Sequence, residues 1–491
     1  MKNTINKIDW KDSRNLTALV DFYELTMMKG YMDNGFKDLI AYYDMFFRKV
    51  PDNGGFAVMA GVEQLMRYIE SIKFEEDDII YLRSKGMFSE EFLEYLKTFK
   101  FRGDMWAIPE GTPIFPNVPM VVVKGNVMES QFVETMVLLS INHPSLIATK
   151  ANRIVRAAQG KSVLELGARR GQGYDAAIYG ARAAYIGGCA ATATMMAERM
   201  FGVPAVGTMA HSWVMLFPSE YEAFKAWATS FSDNCTLLVD TFNVLKSGMV
   251  NAIKVFDEVL KPQGKRPNGI RLDSGDITYL SIKCREMLDA AGYPDCKIIV
   301  SNSLDEYIIK DVIEQGAMID GYGVGERLIT ARSESVFGGV YKLSAIEFNG
   351  QLVPKIKISE NEIKTTNPGF KFTYRLFDKD SHKALADVIC LADEVIDESK
   401  PYVIFDPVHT WKKKKITNFY AKRLQLEIFK DGKCVYECPN VHEIQKFCKE
   451  QVDTLWSEVT RFENPHNYFV DLSQKLWDLK REMLSEHTFE D

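Results

Sequence analysis

The stretch Gly269-Ile270-Arg271-Leu272-Asp273-Ser274-Gly275-Asp276 decides the fold. It begins as a short apolar strand, Gly269–Leu272, and ends in a polar turn just before a helical segment, Thr278–Ala291. A short buried strand that ends in polar residues and leads into a helix is one unit of an α/β fold. Such folds carry their chemistry at the carboxyl ends of the strands.

The same unit recurs on both sides of this stretch, from Lys161 to about residue 345. Seven further strands are predicted, at Val163–Leu166, Ala184–Ile186, Ala205–Thr208, Leu237–Asp240, Ile298–Ser301, Ile319–Gly323 and Val340–Ala345. The other helices are predicted at Asp175–Ala183, Ala190–Phe201, Tyr221–Phe231, Val244–Leu260 and Glu306–Gln315. This alternation predicts a parallel sheet. Seven or eight units over roughly 185 residues favour a barrel, with an open doubly wound sheet as the alternative.

The regions on either side of this segment have a different pattern of predicted helices and strands. The N-terminal region combines a predicted helix with strands and a long helical stretch from Glu129 that we expect to break at His143-Pro144. The C-terminal region has strand-like runs such as Lys371–Phe377 and a helical tail from about Val441. We therefore predict an N-terminal α/β domain at 1–160, a barrel domain with the site at 161–347, and a C-terminal mixed strand and helix region at 348–491.

Composition narrows the class of protein. The 491 residues are 46% hydrophobic and 26% charged, with a formal net charge of −7. A nucleic-acid-binding protein is normally basic, so no nucleic-acid partner is expected. No apolar run approaches the length of a membrane span, and we expect no membrane partner. The polar N-terminus and the lack of a Cys-x-x-Cys pair predict a cytoplasmic protein with reduced thiols.

Polar residues and glycines follow the predicted strands at their carboxyl ends. In strand order they are Arg169, Arg170, His211, Ser212, Asp240, Asp273, Asp276, Ser301, Asn302, Gly323 and Gly325. Parallel strands bring these groups to one mouth of the barrel, and a purely structural barrel has no need of them there. We therefore take all of them as candidate site residues and expect a phosphorylated ligand.

Each residue type has a chemical reason to be there. Glycines after a strand let backbone N–H groups approach an anion, and paired guanidinium groups clamp phosphate or carboxylate. Asp273 and Asp276 could bind sugar hydroxyls or a Mg²⁺ shared with substrate phosphates, although Asp276 could instead cap the next helix. Most lone histidines are structural, and His211 stands out because of its neighbours.

These segments resemble the nicotinate phosphoribosyltransferase family. The matching stretches occur in family order: Asp21–Met27, Arg169–Gly173, Gly207–Ser212, Asp240–Asn243, Gly269–Asp276, Ser301-Asn302 and Gly321–Gly325. The resemblance, to the longer bacterial members, implies an N-terminal α/β domain packed on an irregular, incomplete α/β barrel of the type II phosphoribosyltransferase kind. The C-terminal region would then be a cap.

The resemblance also implies an activity. The family joins nicotinate to 5-phosphoribosyl 1-diphosphate with coupled ATP hydrolysis, giving nicotinate mononucleotide and diphosphate for NAD salvage. Residue by residue, it makes His211 the phosphorylated catalytic residue, with Asp273 beside it. ATP would be a co-substrate, and Mg²⁺ would be carried by the substrate phosphates, with no metal site formed by protein side chains alone.

The resemblance further assigns the substrate contacts. Thr208 would lie against nicotinate and Arg271 would supply charge for its carboxylate. Tyr23 would stack on the ring from the neighbouring subunit, which implies a homodimer with shared active sites. Arg170 and the loop Gly323–Gly325 would hold phosphates.

One position departs from the family pattern. Glu326-Arg327 follows Gly325, where many relatives carry threonine or serine. Either Glu326 points away while Arg327 compensates, or the loop binds its anion through backbone groups alone. We leave Glu326 out of the candidate site.

Several alternatives stay open. The enzyme could act on nicotinamide or another pyridine base, it could be a phosphosugar lyase or isomerase with His211 as general acid and base, or it could be a ligand sensor without catalysis. In the tail, Cys434, Cys438, His442 and Cys448 have a spacing near that of zinc sites, but free thiols are the favoured interpretation.

Overall fold

The computed structural model describes residues 14–360 and 364–486. Within them, residues 14–149 and 336–486 fold as one unit, the outer unit, and residues 150–335 fold as a second, the central unit. The first strands of the chain are β1 (Ile40–Phe46), β2 (Ala57–Val58), β3 (Asp104–Ala107), β4 (Pro113–Ile114) and β5 (Val121–Asn126). The first helices are α1 (Phe22–Asp33), α2 (Val62–Ser71), α3 (Glu76–Ser84), α4 (Glu90–Lys97), α5 (Val127–Phe132) and α6 (Glu134–Ala157).

The central unit alternates strands and helices. Its strands are β6 (Ser162–Glu165), β7 (Ala191–Thr192), β8 (Thr236–Leu238), β9 (Gly269–Leu272), β10 (Lys297–Asn302) and β11 (Gly321–Val324). Its α-helices are α7 (Tyr174–Ile186), α8 (Met195–Phe201), α9 (His211–Leu216), α10 (Glu220–Ser230), α11 (Met249–Val255), α12 (Ile277–Ala290), α13 (Glu306–Glu314) and α14 (Glu326–Ile329). Shorter helical turns lie at Pro51–Asn53, Ala168–Arg170, Val244–Gly248, Phe256–Leu260 and Lys261–Gln263.

The rest of the chain is rich in strands. They are β12 (Val340–Phe348), β13 (Gln351–Pro354), β14 (Lys371–Asp378), β15 (Ala384–Leu391), β16 (Tyr402–Phe405), β17 (Lys413–Ile416), β18 (Phe419–Arg423), β19 (Leu426–Lys430), β20 (Lys433–Cys434) and β21 (Val470–Leu472). Two helices follow, α15 (Val441–Asp453) and α16 (Gln474–Glu486).

The central sheet is parallel, as predicted. Its six strands lie in the order β7-β6-β11-β10-β9-β8. Side chains such as Ile270, Ile298 and Val300 are fully buried, as expected for strands covered on both faces. Beyond β7 a single parallel bridge joins Thr192 to Ala205, and no pairing among the described residues closes the gap from there to β8. The prediction of an incomplete α/β barrel is therefore confirmed.

Two of the predicted central strands are wrong. Ala184–Ile186 is the last turn of α7, because these residues continue the buried face of an alanine-rich helix. In Ala205–Thr208 only Ala205 pairs with a neighbour, while Gly207 and Thr208 are exposed. Apolar runs this short do not distinguish a strand from a helix end or a loop by periodicity alone.

The outer unit contains a seven-stranded antiparallel sheet in the order β13-β12-β1-β5-β3-β19-β20. Val340–Ala345 is a strand, but its placement in the parallel sheet is wrong: it belongs to β12, which pairs antiparallel with β1. The connection after β11 holds only the one-turn helix α14, whereas a parallel crossover usually needs a longer helix. The division into 1–160, 161–347 and 348–491 stays a prediction about segments that could fold independently.

The expected helix break at His143-Pro144 is also wrong. Helix α6 continues through Pro144, and the break lies at Val133, between α5 and α6. Proline removes the hydrogen bond to the carbonyl four residues earlier, here that of Ser140. Gly61, with a φ of +100°, packs so closely on that carbonyl that a Cβ atom would lie 1.8 Å from its oxygen. The Ser140 carbonyl thus packs against the backbone of Gly61 where a helical N–H group would otherwise lie.

A buried ion pair joins β14 to β15, and its arginine also bonds the N-terminal segment of the same unit. Arg375 donates from Nε and Nη2 to Asp387 over 2.7 and 2.8 Å, and both side chains are fully buried. Arg375 also donates to the carbonyl of Pro113 at 2.8 Å. Removing one partner of such a pair costs about 3–5 kcal/mol, because the other charge stays buried and unpaired.

Candidate active site

The carboxyl ends of β8 and β9 are joined through Asp240. Its Oδ2 atom accepts hydrogen bonds from the backbone N–H of Asp273 at 2.6 Å and from the Ser274 hydroxyl at 3.1 Å. Asp240 is only 8% exposed, and its Oδ1 atom is buried without a hydrogen-bond partner among the residues that the structure describes. This carboxylate therefore sets the turn after β9 and keeps one acceptor available for a further donor.

His211 lies at the gap in the incomplete barrel. It is the first residue of α9, which follows the Ala205 segment on one side of the gap. Its Nδ1 atom lies 3.2 Å from Oγ1 of Thr241, which follows β8 on the other side, and its Nε2 atom lies 3.5 Å from Oδ2 of Asp273. The imidazole thus spans the gap, and with 41% of the side chain exposed it remains accessible to a ligand.

Asp273 is held from a third strand. The hydroxyl of Ser301, at the end of β10, donates a hydrogen bond to Oδ1 of Asp273. The other oxygen of that carboxylate faces His211. The structure therefore brings together His211, Asp240, Asp273 and Ser301, which the sequence placed at four different strand ends.

Arg271 and Thr208 form a polar pair beside this cluster. Nη1 of Arg271 donates to Oγ1 of Thr208 at 2.7 Å, while its Nε atom is buried and has no partner within the described part of the chain. Burial lowers the pKa of Arg271, and the nearby carboxylates of Asp273 and Asp240 oppose that shift. A partly buried guanidinium with an unused N–H group is suited to bind an anionic oxygen of a ligand.

The arginines after β6 lie on a short helical turn, Ala168–Arg170. Nε of Arg170 lies 3.9 Å from Oε2 of Glu326, and Nη1 of Arg332 lies 3.3 Å from Oε1 of the same glutamate. Arg327 instead forms an ion pair with Asp305. Glu326 therefore faces the arginines, and Arg327 is not the residue that balances its charge.

The glycines have a packing reason as well as the predicted ligand-binding reason. A Cβ atom at Gly323 would lie 2.4 Å from Cδ1 of Leu166, and one at Gly325 would lie 3.2 Å from the Leu166 carbonyl oxygen. Both glycines therefore pack closely against Leu166, the residue after β6. Whether they also bind a phosphate stays a prediction.

Three predicted residues have local roles or none. Oδ1 of Asp276 accepts from the backbone N–H of Tyr279 at 2.9 Å and so caps α12, the alternative left open above. Asn302 accepts from the backbone N–H of Ser303 at 2.7 Å. Ser212 is exposed in the first turn of α9, and no hydrogen bond of its side chain occurs within the described part of the chain.

Sequence reasoning noted Thr241 without giving it a role, and it missed Glu165 and Arg332. Thr241, which contacts His211, directly follows a predicted strand end, so its position was a usable signal. Glu165 is a fully buried carboxylate that accepts from Thr192 at 2.6 Å and from the backbone N–H of Gly167, and burial raises its pKa. It holds the turn that leads to the arginines. A single acidic residue within an otherwise apolar strand was the sequence feature that could have identified it. Arg332 lies in a loop without a recognisable sequence pattern, so no feature of the sequence pointed to it.

Tyr23 lies on α1 in the outer unit. Its side chain is 43% exposed, and its pKa is raised by partial burial and by the hydrogen-bonding carboxylate of Glu134. The next residue, Glu24, is fully buried and accepts from the backbone N–H of Thr135 at 2.9 Å and from its hydroxyl at 2.5 Å. Burial raises the pKa of Glu24 from an ordinary 4.5 to about 8.

The cysteine-rich tail does not form a metal site in the described part of the chain, where no group of three metal-ligating side chains occurs. All eight cysteines are free thiols. Among the helices that the structure describes, none has the length and apolar character required to cross a membrane.

Comparison with known proteins gives consistent matches. The family model for the nicotinate phosphoribosyltransferase N-terminal domain matches residues 19–142, and the model for the C-terminal domain matches residues 370–480. The nicotinate phosphoribosyltransferase of Bacillus subtilis (strain 168) is 42% identical over 474 residues, which is 96% of this chain and 96% of the relative.

Solved structures agree with these matches. The crystal structure of human nicotinic acid phosphoribosyltransferase is similar with a TM-score of 0.83 and 27% identity, over 95% of this chain and all of that one. The nicotinate-nucleotide pyrophosphorylase from Pyrococcus furiosus has a TM-score of 0.69 over 92% of this chain and 99% of its own. At 23% identity, the second match shows a shared fold only.

Proposed function

Because this chain belongs to the nicotinate phosphoribosyltransferase family, we propose that it joins nicotinate to 5-phosphoribosyl 1-diphosphate, coupled to ATP hydrolysis through a phosphorylated His211. The products would be nicotinate mononucleotide and diphosphate, and the reaction would serve NAD salvage. The observation that carries the proposal is the position of His211. It lies at the barrel gap between Thr241 and Asp273, with the Arg271–Thr208 pair on the same set of strand ends.

The Arg271–Thr208 pair is the proposed nicotinate subsite. The buried, unused Nε–H group of Arg271 can donate to the ring carboxylate, and Thr208 orients the guanidinium through the 2.7 Å hydrogen bond. A neutral amide would not compensate the partly buried positive charge as a carboxylate does. The pair therefore favours nicotinate over nicotinamide.

The geometry around His211 suits phosphate acceptance from ATP. A carboxylate facing Nε2 favours the tautomer with the proton on that nitrogen, so the lone pair stays on Nδ1. We infer that Nδ1 attacks the γ-phosphorus, forming the N–P bond while the bond to the bridging oxygen breaks and ADP leaves. The Thr241 hydroxyl, 3.2 Å from Nδ1, would hold the ring in place until the attack.

The glycosyl transfer itself needs positioning more than proton transfer. The diphosphate leaves the anomeric carbon through a cation-like state, so the protein must hold the ring nitrogen in line and stabilise the leaving anion. Arg169, Arg170 and the loop Gly323–Gly325 are the proposed phosphate contacts. Asp276, Ser212 and Asn302 are proposed to contact the ribose or the phosphates at the rim.

Mg²⁺ is proposed to arrive on the substrate phosphates, where it would neutralise part of their charge. The free buried Oδ1 of Asp240 and the carboxylate of Asp273 supply the oxygen donors that a hydrated magnesium ion prefers. The residues present therefore fit a magnesium ion that is held mainly by the ligand.

We also propose a homodimer with shared active sites, in which Tyr23 stacks on nicotinate bound to the partner subunit. Four large apolar side chains on and just before α1 are between 36% and 50% exposed: Leu19, Phe22, Tyr23 and Met27. In the central unit, Met215, Leu216 and Phe242 are between 66% and 78% exposed. Apolar surface of this kind is typical of a protein interface. We place the reaction in the cytoplasm, where eight free thiols would stay reduced.

Turnover tests the proposal directly. The purified protein is incubated with nicotinate, 5-phosphoribosyl 1-diphosphate, Mg²⁺ and ATP, and the mononucleotide and ADP are followed together. Formation of both is the expected result. If no mononucleotide forms at saturating substrates, the proposed function is excluded. If mononucleotide forms with nicotinamide but not with nicotinate, the substrate base is nicotinamide instead.

A further inference from the structure

The carboxylate of Glu326 lies between two guanidinium groups of the central unit. Oε2 is 3.9 Å from Nε of Arg170, on the turn after β6, and Oε1 is 3.3 Å from Nη1 of Arg332, in the loop after α14. The side chains are between 44% and 64% exposed, so all three face solvent and any ligand there. Glu326 directly follows the predicted phosphate loop, Gly323–Gly325.

The charges around this cluster are unbalanced. One carboxylate faces two guanidinium groups, which leaves a net positive charge. Arg327 does not contribute, because it is paired with Asp305. Glu326 therefore neutralises part of the positive charge that a phosphate-bearing ligand would otherwise meet.

We propose that Glu326 is an internal counterion that competes with the diphosphate group for Arg170 and Arg332, and so sets how tightly this anion is held. The inference rests on the proposed function, because it assumes that the diphosphate binds at this loop. A diphosphate carries several negative charges and can bind guanidinium groups in bidentate fashion, so it replaces the single carboxylate. When the diphosphate leaves, Glu326 pairs with the arginines again and product release is favoured.

A purely structural role for Glu326 predicts the opposite result. If the glutamate served to position the two arginines, removing its charge would let them move and would weaken anion binding. Competition predicts tighter binding when the charge is removed. The sign of the change therefore separates the two roles.

The test measures binding of inorganic diphosphate by isothermal titration calorimetry, without nicotinate, to the full-length protein. We expect Glu326→Gln to lower the Kd about 3- to 10-fold and Arg332→Gln to raise it by a similar factor, as for single charge contacts to an anion. Glu326→Thr is a second variant without the charge and should also bind more tightly. The gain from Glu326→Gln should shrink when Arg332 is already glutamine, since the two residues contact each other.

A matched control removes a charge elsewhere on the same unit. Lys310, on α13, is 45% exposed and forms an ion pair with Glu314 at 3.8 Å across one helical turn. Lys310→Gln should leave the Kd for diphosphate unchanged. An unchanged or raised Kd in Glu326→Gln and Glu326→Thr would overturn the proposal.

The same variants separate this inference from the function. If mononucleotide forms but diphosphate affinity does not respond to Glu326, only the counterion role fails. If no variant forms mononucleotide while Glu326→Gln binds diphosphate more tightly, the proposed reaction fails and the counterion role stands. In the active enzyme, Glu326→Gln should lower KM for 5-phosphoribosyl 1-diphosphate and leave KM for nicotinate unchanged.

Discussion

His211 and Asp273 face each other over 3.5 Å, from Nε2 to Oδ2, although one begins a helix and the other follows a strand. Asp273 is itself held by Ser301 through its second oxygen and by Asp240 through its backbone N–H. The carboxylate thus has a fixed direction before any ligand binds. The proposed transfer of phosphate from ATP to His211 depends on this pair.

Asp273→Asn should slow phosphorylation of His211 by ATP on the order of 100-fold. The amide no longer favours the tautomer that leaves the lone pair on Nδ1, and it does not stabilise a positive charge on the ring. Rapid-quench measurement of ADP formation in the first turnover gives the rate. Thr241→Val serves as comparison and should have a smaller effect, since it removes a neutral hydrogen bond only. Equal losses in the two variants would contradict the role of Asp273.

Arg271→Gln should raise KM for nicotinate about 30-fold or more, because the carboxylate of the base loses a partly buried charged partner. KM for 5-phosphoribosyl 1-diphosphate should change little. The variant should also discriminate less between nicotinate and nicotinamide, which steady-state assays with both bases would show. A large change for the diphosphate substrate with an unchanged nicotinate KM would move Arg271 to the phosphate subsite.

Shared active sites predict complementation. Tyr23→Ala and His211→Asn should each be nearly inactive alone. After the two proteins are unfolded together and refolded as a mixture, up to about a quarter of the sites should recover, because each mixed dimer contains one site with both native residues. Each variant refolded alone is the control. No recovery in a mixture that contains mixed dimers by native mass spectrometry would show that Tyr23 acts within its own subunit or not at all.

The buried carboxylate of Glu24 predicts a pH dependence of stability. Its pKa is about 8 in the folded protein and near 4.5 when exposed, so the folded state keeps the proton longer than the unfolded state. Stability from this group is full below about pH 4.5 and is lost as the pH rises toward 8, by up to about 1.4 kcal/mol per unit.

Glu24→Gln removes this dependence. Relative to the wild type, the variant should gain roughly 2 kcal/mol in the free energy of unfolding between pH 6 and pH 8, measured by urea denaturation. Glu76→Gln, at an exposed position on α3, is the control: its free energy of unfolding should change with pH in parallel with that of the wild type. If the free energy of unfolding of Glu24→Gln also changes with pH in parallel with that of the wild type, the carboxylate of Glu24 is not buried in its neutral form.

The sequence predicted the strands of the parallel sheet well where an apolar run was followed directly by a clear turn sequence. Gly269–Leu272 was predicted with its observed ends, and helices α10, α12 and α13 begin or end within a residue of the prediction. Side chains that cap these helices, such as Asp276 and Ser219, give a local signal that does not depend on the tertiary fold.

Features that depend on distant contacts could not be predicted. The break at Pro144 was expected from local rules, but α6 continues through it, and the buried carbonyl of Ser140 packs against Gly61 from a distant part of the chain. The strand at Val340–Ala345 was recognised, but its partner β1 lies about 300 residues earlier in the chain. The contact of Glu326 with Arg332 joins a helix and a loop that show no shared pattern in the sequence.

Label transfer from ATP tests the central claim most directly. The protein is incubated with ATP that is labelled in its γ-phosphate, and the protein-bound label is measured before and after mild acid. We predict acid-labile label on the wild type and none on His211→Asn, because a phosphorylated imidazole hydrolyses in acid. Equal labelling of the two proteins, or label that survives acid, would contradict the account of His211 as the phosphate-accepting residue.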